Sequence, residues 1–354
     1  MPLADILDYE QPTKYIVKGT KYDDSYATPV LTAGQSFVLG YTNEDDGIYK
    51  ASKHNPTIIF DDFTTSFHWV DFDFKVKSSA MKMIRPKSKE VSFRYVYYAM
   101  CCIGFVATDH VRHWISQYSL FEIPLPPLPV QEEIVRILDT FTELQAELQA
   151  ELQARQLQYQ YYRDQLLAFD GRKDVEWKKL GEVCELGTGS HNTQDGLKEG
   201  EFPFYTRGSE VLRLNDYDYD ETAIITAGDG AGVGKVFHFV RGKYALHQRA
   251  YRIVPDEHKI LPRYVYYYIG ATFYNYIMKS SVSSSVVSIR KPMMVDYPIP
   301  VPSLAEQQRI VSILDRFDTL VNDLSQGLPA EIEARKQQYE YYRDRLLTFK
   351  RKEA

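Results

Sequence analysis

Residues 123–141 read IPLPPLPVQEEIVRILDTF, and residues 299–317 read IPVPSLAEQQRIVSILDRF. Farther along each copy, QYQYYRDQLLAF (158–169) returns as QYEYYRDRLLTF (338–349). A chain that spells one long passage twice carries a duplicated unit, so the reading of this passage decides the fold. Its Pro-rich opening has fixed φ and few amide donors, which predicts an extended entry segment. The remainder of the passage is helical by its spacing. Leu144, Leu148, Leu152, Tyr159, Tyr162, Leu166 and Phe169 step mostly by three or four, which lines them along one helix face. Positions 131–169 would make a rod of about 60 Å if unbroken.

The second copy repeats the stripe through Ile332, Tyr339, Tyr342, Leu346 and Phe349, but Gly327 and Pro329 should end one helix and begin another. ELQA occurs three times over 143–154, and the second copy has four tetrads in its place, TLVN, DLSQ, GLPA and EIEA, over 319–334. A tetrad is about 6 Å, close to one turn, so length is adjustable here in such steps. An apolar stripe of this length needs cover, and two copies most simply cover each other as an antiparallel pair.

The segments outside the helices are related too. FRYVYY (93–98) answers PRYVYY (262–267), and LADI (3–6) answers LGEV (180–183). Runs such as TIIF (57–60), FHWVDFDFKV (67–76) and KVFHFV (235–240) read as strands that precede a helix carrying the RYVYY pattern. The expected fold class is α+β: two mixed α/β domains separated by two long helical regions that pair as an antiparallel coiled coil, with pseudo-two-fold symmetry. The expected boundaries are 1–123 for the first domain, 124–170 for the central spacer, 171–298 for the second domain and 299–350 for the C-terminal spacer.

Composition narrows the setting. With 44% hydrophobic and 25% charged residues the chain is globular rather than disordered. Its three cysteines form no CxxC pair, which points to a reducing, cytoplasmic setting without a structural zinc site. No run approaches the length of an apolar membrane span. The net charge of −6 is unusual for a DNA binder, because cations on phosphates normally supply most of the affinity. Locally the balance reverses: Lys75, Lys77, Lys82, Arg85, Lys87 and Lys89 form one stretch without acids, and Lys235, Arg241, Lys243, Arg249 and Arg252 form another. Acid runs such as NEDDG (43–47) and NDYDYDE (215–221) are expected to face solvent. Charge alone does not separate a DNA-facing surface from solvated strand faces.

Catalytic patterns fit poorly. AGDGAGVGK (227–235) lacks the glycine and the Ser or Thr that a phosphate loop needs, and reads as a loop between strands. HNPTIIF (54–60) has no second proline or aromatic to grip a flipped base. His110 and His113 have no evident third ligand. Asp61 or Asp62 with Asp73 and Lys75 could form a metal-dependent nuclease centre, which is the sharpest enzymatic reading. Recognition chemistry remains. Gln248 and Arg249 beside His247 are residue types suited to adenine and guanine, and KSSVSSSVVSIRK (279–291) places hydroxyls between cations, as phosphate contacts require.

Together, the two divergent domains, the repeated PLPPLPVQEEIVRILDTF and PVPSLAEQQRIVSILDRF passages, the QYxYYRDxLLxF ends, the ELQA tetrads and WKKLGEVCELGTG (177–189) resemble the specificity subunit of type I restriction-modification enzymes over essentially the whole chain. The resemblance implies that each domain is a target recognition domain reading one half of a bipartite, asymmetric sequence in double-stranded DNA. It implies helices that set the gap and dock two methyltransferase subunits using S-adenosylmethionine, with restriction/translocase subunits using ATP and Mg²⁺. By the same resemblance this chain binds none of those cofactors, holds no metal and is not an enzyme. Candidate DNA contacts are Lys53, His54, Thr64, Thr65, Ser66, His68, Lys75, Lys77 and Arg112 in the first domain. In the second they are Tyr205, Arg207, Lys235, His247, Gln248, Arg249, Ser284, Arg290 and Lys291. Tyr159, Tyr162, Arg163, Leu166 and Phe169, with Tyr339, Tyr342, Arg343, Leu346 and Phe349, are expected to pair the helices or dock partners. A metal-dependent DNA nuclease and a coiled-coil protein-binding scaffold are the competing readings.

Overall fold

The computed structural model describes residues 1–34, 36–280 and 288–349. The first half of the chain forms α1 (Leu3–Ile6), β1 (Leu7–Glu10), β2 (Thr28–Leu31), β3 (Val38–Thr42), β4 (Thr57–Asp61), β5 (Phe67–Val70), β6 (Lys75–Val76), β7 (Met81–Pro86), α2 (Phe93–Cys101) and α3 (Leu128–Leu166). The second half forms β8 (Glu176–Lys179), α4 (Leu180–Val183), β9 (Cys184–Thr188), β10 (Phe202–Tyr205), β11 (Val211–Leu214), β12 (Tyr219–Ala227), β13 (Phe237–Leu246), β14 (Ala250–Pro255), α5 (Pro262–Ser280), α6 (Lys291–Val295), β15 (Pro298–Val301), α7 (Leu304–Asn322) and α8 (Leu328–Leu347). Two compact units result: residues 1–147 with 332–354, and residues 148–331.

In the first unit a four-stranded sheet has the order β1-β7-β4-β5, and β3-β2-β6 form a second sheet. Strand β4 explains why both are needed. Its TIIF run pairs with β5 on one side and β7 on the other and is fully buried. Side chains alternate across a strand. Ile58 and Phe60 therefore enter a core with Tyr95, Tyr98 and Trp114, whereas Ile59 enters another with Leu31, Phe74 and Val76. The 67–76 run is not one strand: it divides into β5 and β6 at 71–74.

The second unit repeats this plan with a wider sheet of order β11-β10-β13-β12-β14-β9, beside the two-stranded β15-β8. Strand β12 plays the part of β4. Ile224 faces the core built around α5, and Ala223 and Ile225 face the opposite one with Tyr205, Tyr244 and Leu246. The glycine-rich 227–235 segment is the hairpin connection between β12 and β13, with Gly230 and Gly234 in the left-handed region (φ 82° and 68°). LADI and LGEV are matching one-turn helices, α1 and α4.

The repeated passages form helices as their spacing predicts, with two corrections. Pro129 lies in the first turn of α3, where a missing amide costs nothing, so the helix starts at Leu128. It ends at Leu166, and Phe169 leaves it to become 1% exposed in the second unit's core, its ring 6.4 Å from that of Tyr264. Phe349, its repeat counterpart, is 40% exposed. The second copy breaks between Asn322 and Leu328, around Gly327. The tetrads DLSQ and GLPA span this break, so the four extra residues of the second copy do not add a helical turn.

The tyrosines of the repeated ends pack on the phenylalanines of the repeated beginnings. Within the second unit Tyr162 stacks on Phe317 at 5.7 Å, and within the first Tyr342 stacks on Phe141 at 5.5 Å. Leu166 and Tyr159 lie against one core, and Leu346 and Tyr339 against the other.

Candidate nucleic-acid interface

Any reading surface is positioned by the join between each globular sheet and its helix, and this join is built twice from the same bonds. In the first unit Arg94 of α2 donates to Asp139 of α3 at 2.8 Å, and the Tyr98 hydroxyl donates to the same carboxylate at 2.5 Å. In the second, Arg263 of α5 and Tyr267 donate to Asp315 of α7 at 2.9 and 2.5 Å. Tyr95 donates to the Pro124 carbonyl at 2.9 Å, and Tyr264 to that of Pro300 at 3.0 Å. The buried amides of Gln131 and Gln307 donate to Pro126 and Pro302 and accept the backbone N–H of Ser92 and Leu261, all within 2.7–3.0 Å. RYVYY is therefore a latch. Replacing Asp315 by alanine leaves Arg263 and Tyr267 without their shared acceptor, and partial exposure moderates the cost to about 1–2 kcal/mol. Urea unfolding should show that loss, and Asp139→Ala should show a similar one because its bonds are the same.

The loops carried by the latched sheets correspond in backbone and differ in side chains. In the second unit Thr206-Arg207-Gly208 comes after β10, which runs parallel to β13, and His247-Gln248-Arg249 comes after β13. In the first, Thr32-Ala33-Gly34 comes after β2, which runs parallel to β6, and 77–80 comes after β6. Each turn closes the same way: Gly208 and Gly34 donate their N–H to Thr206 and Thr32, and an imidazole, His238 or His68, bonds the glycine carbonyl at 3.2 or 3.1 Å. Gly228 donates to the Arg249 carbonyl as Asp62 does to that of Ala80. Ile289 donates to the carbonyl of Gly228, and His113 to that of Asp62, both at 2.8 Å.

In the second unit these loops bring charged groups together. Arg207 and Arg249 each place an Nη1 on one oxygen of Asp229, at 2.8 and 3.0 Å. Burial works against ionisation of Asp229, but the two guanidiniums prevail and hold its carboxyl below the ordinary range. His247 is buried, and its Nδ1 accepts the Arg249 N–H at 2.9 Å. Burial and the charge of Arg207 push this imidazole below its usual pKa, so it is neutral at pH 7. Gln248 is exposed and its amide bonds Asn192. Lys235, Arg290 and Lys291 are exposed, and Ser284 lies outside the described residues. Tyr205 is a core residue, 9% exposed between His238 and Tyr244.

The first unit is poorer in cations at the matching place. Thr64 is exposed and Ser66 half-buried in the β4–β5 hairpin, where Thr65 is buried with φ 58°. Lys77 is exposed in the loop after β6, and Arg112 in the connection between α2 and α3. Lys53 and His54 are exposed in the turn before β4, so the strand separates them from that hairpin. Lys75 is corrected outright. It is 1% exposed, its ammonium held by Glu44 at 2.9 Å and the Asp46 carbonyl at 2.7 Å, which leaves nothing for a phosphate. The NEDDG run is thus partly a counter-charge rather than a solvated face. The 215–221 run behaves likewise: Glu221 binds Arg252 and Tyr244, and Asp218 accepts the N–H of Leu246.

The nuclease group does not assemble. Asp61 caps its own turn through Phe63 and Thr64, Asp62 is buried on Lys82 at 3.0 Å, Asp73 pairs with Lys50, and Lys75 is spent on Glu44. Among the described residues no group of three or more His, Cys, Asp or Glu could hold a metal ion.

At the repeated helix ends, Arg163 and Arg343 are half-buried, each lying over the tyrosine four residues back (5.9 and 5.8 Å) and paired with the next aspartate (2.8 and 2.7 Å). Tyr161, Tyr162, Tyr341 and Tyr342 are exposed there. No helix of the described residues is long and apolar enough to cross a membrane.

Known proteins share this organisation. The sequence model of the type I restriction modification DNA specificity domain matches residues 1–155 and 172–334. A type I restriction enzyme specificity subunit of Escherichia coli is 45% identical over 385 aligned positions, covering 100% of this chain and 95% of that protein. A putative type I restriction enzyme specificity subunit of Haemophilus influenzae is 29% identical, covering 89% and 86%. Among solved structures, the S subunit of a type I restriction-modification system from M. genitalium superposes with a TM-score of 0.67 at 15% identity, over 99% of this chain and 96% of that one. A chain from a structural study of complex assembly and conformational transition in a type I system gives 0.57 at 15% identity, over 97% of each. At such identity these two show the fold alone.

Proposed function

Because the chain belongs to the family of type I restriction-modification DNA specificity subunits, we propose that its two units read the two halves of a bipartite target in double-stranded DNA. The observation that carries this reading is the doubled latch with unlike loops. Identical bonds fix both sheets to the spacer helices, while the loops above them present Arg207, Gln248 and Arg249 in one unit and Thr64, Ser66, Lys77 and Arg112 in the other. One scaffold thus offers two different sets of base and phosphate contacts.

In this reading α3, α7 and α8 pair as an antiparallel coiled coil that sets the gap, and the domains divide near 1–123, 124–170, 171–298 and 299–350. The repeated Tyr-Tyr-Arg-Asp surfaces dock two methyltransferase subunits in equivalent ways, and restriction/translocase subunits join that complex. S-adenosylmethionine, ATP and Mg²⁺ act in those partners, and this chain recognises DNA without catalysing a reaction, in the cytoplasm. A modest local supply of cations suffices if partner subunits help to enclose the duplex. The test is to map methylated bases in cells expressing the full chain with its methyltransferase partner. A two-part motif with a fixed gap is expected. Methylation without a two-part motif, or salt-insensitive association of the complex with DNA, would refute the reading.

A further inference from the structure

The loops of the second unit contain one charged constellation that its counterpart lacks. Arg207, Asp229 and Arg249 come from three different connections, those after β10, β12 and β13, and meet on the single carboxylate of Asp229. Asp229 and Arg249 border an open cleft of ≈ 340 Å³ whose lining also includes Thr188, Gln248 and Ser288. The equivalent backbone positions in the first unit hold Ala33, Phe63 and Ala80. One sheet edge is therefore equipped with a fixed pair of guanidiniums and the other with apolar side chains.

The bonding leaves these arginines only partly used. Each gives one Nη1 to Asp229, and among the described residues neither guanidinium makes another hydrogen bond. Their side chains are 41% and 63% exposed, whereas that of Asp229 is 20% exposed. A planar fork with its remaining donors toward solvent matches the paired O6 and N7 acceptors of guanine in the major groove, and no other base edge offers two acceptors there. An unrestrained arginine would spread its donors over many rotamers. Anchoring on a common carboxylate fixes both forks in advance of binding and reduces the ordering cost.

We propose that Arg207 and Arg249 read guanine in the half-target of the second unit, and that Asp229 is the positioning residue that holds both guanidiniums in reading geometry. This rests on the bipartite reading above. It adds that the second half-sequence contains at least one guanine required on its N7 edge, and that the first half does not obtain guanine preference from the equivalent positions.

The test uses the full chain with its methyltransferase partner. Methylated sites are mapped for the natural protein, Arg249→Ala and Asp229→Asn. Guanine is expected at a fixed position of the second half, with preference there falling about 10- to 100-fold in Arg249→Ala and the first half unchanged. Asp229→Asn should weaken the same preference without creating one elsewhere. The retained first half shows that a variant complex is folded. A second measurement needs no variant: duplexes carrying 7-deazaguanine at that position keep their pairing but lose N7, and the natural complex should bind them about tenfold more weakly. A second half without guanine, unchanged preference in Arg249→Ala, or full affinity for the 7-deazaguanine duplex overturns the proposal while leaving the bipartite reading intact. Absence of any two-part motif in the natural protein overturns that reading instead.

Discussion

Asp62→Ala should remove a large share of the first unit's folding stability. Asp62 and Lys82 are both 1% exposed and paired at 3.0 Å, and the second oxygen of Asp62 accepts the Trp114 N–H at 2.8 Å. Removing the carboxylate strands an ammonium in a site sealed by the β4–β7 pairing and the Tyr9 ring, which lies 4.7 Å from Nζ. Breaking a buried pair from one side costs about 3–5 kcal/mol, against about 5–15 kcal/mol for a whole domain. The double replacement Asp62→Leu with Lys82→Met removes both charges and should recover most of that loss, less about 1 kcal/mol for the Trp114 bond. Urea titration followed by tryptophan fluorescence measures both, since Trp69 and Trp114 lie in this unit. A cost below about 1 kcal/mol for Asp62→Ala would show that Lys82 finds water or another partner and that the pair is not sealed.

Deleting one ELQA, residues 147–150, should abolish recognition of the natural target spacing and create recognition of a shorter one. The tetrad lies inside the unbroken α3, so its removal shortens that helix by about 6 Å and turns its C-terminal part by about 40° relative to its N-terminal part. At about 3.4 Å per base pair, the rise corresponds to one or two base pairs of gap. Because the loops that would read bases lie outside α3, both half-sequences should stay as they were. Methylation mapping distinguishes the outcomes: a motif with altered halves, or with the original gap, would remove the ruler role. The second copy gives a useful contrast. Its four extra residues fall at the break between α7 and α8, where added length need not displace anything by a full turn.

The repeats made much of the fold legible. Local chemistry decides where α3 runs, why α7 stops before Gly327, and why LADI and LGEV are single turns, and local chemistry is what a sequence displays. Pairings across long separations were not legible in the same way. Lys75 belongs to a stretch of cations, and nothing nearby announces that Glu44 and Asp46, some thirty positions earlier, fold over it. Tyr205 ends β10 just before the polar Thr206-Arg207 turn, yet it fills the core behind that turn. Asp229 looks like a lone acid in a glycine-rich turn until the strand order brings Arg207 and Arg249 to it. The latch was present in the repeated blocks as Gln131, Asp139, Gln307 and Asp315, but polar residues in a helix read as solvent-facing unless their partners are known. Repetition of Arg, Tyr, Gln and Asp together was the available signal.

Every side chain that bonds in that latch comes from passages the two halves share, and none from the loops that differ. A crossover between the first and second copies, or with another gene of the same plan, would therefore exchange whole reading heads while leaving each attachment complete. The chain is in this sense built like a tool with two identical sockets: new specificities can arrive by recombination as finished parts, without any intermediate whose head is loosely held.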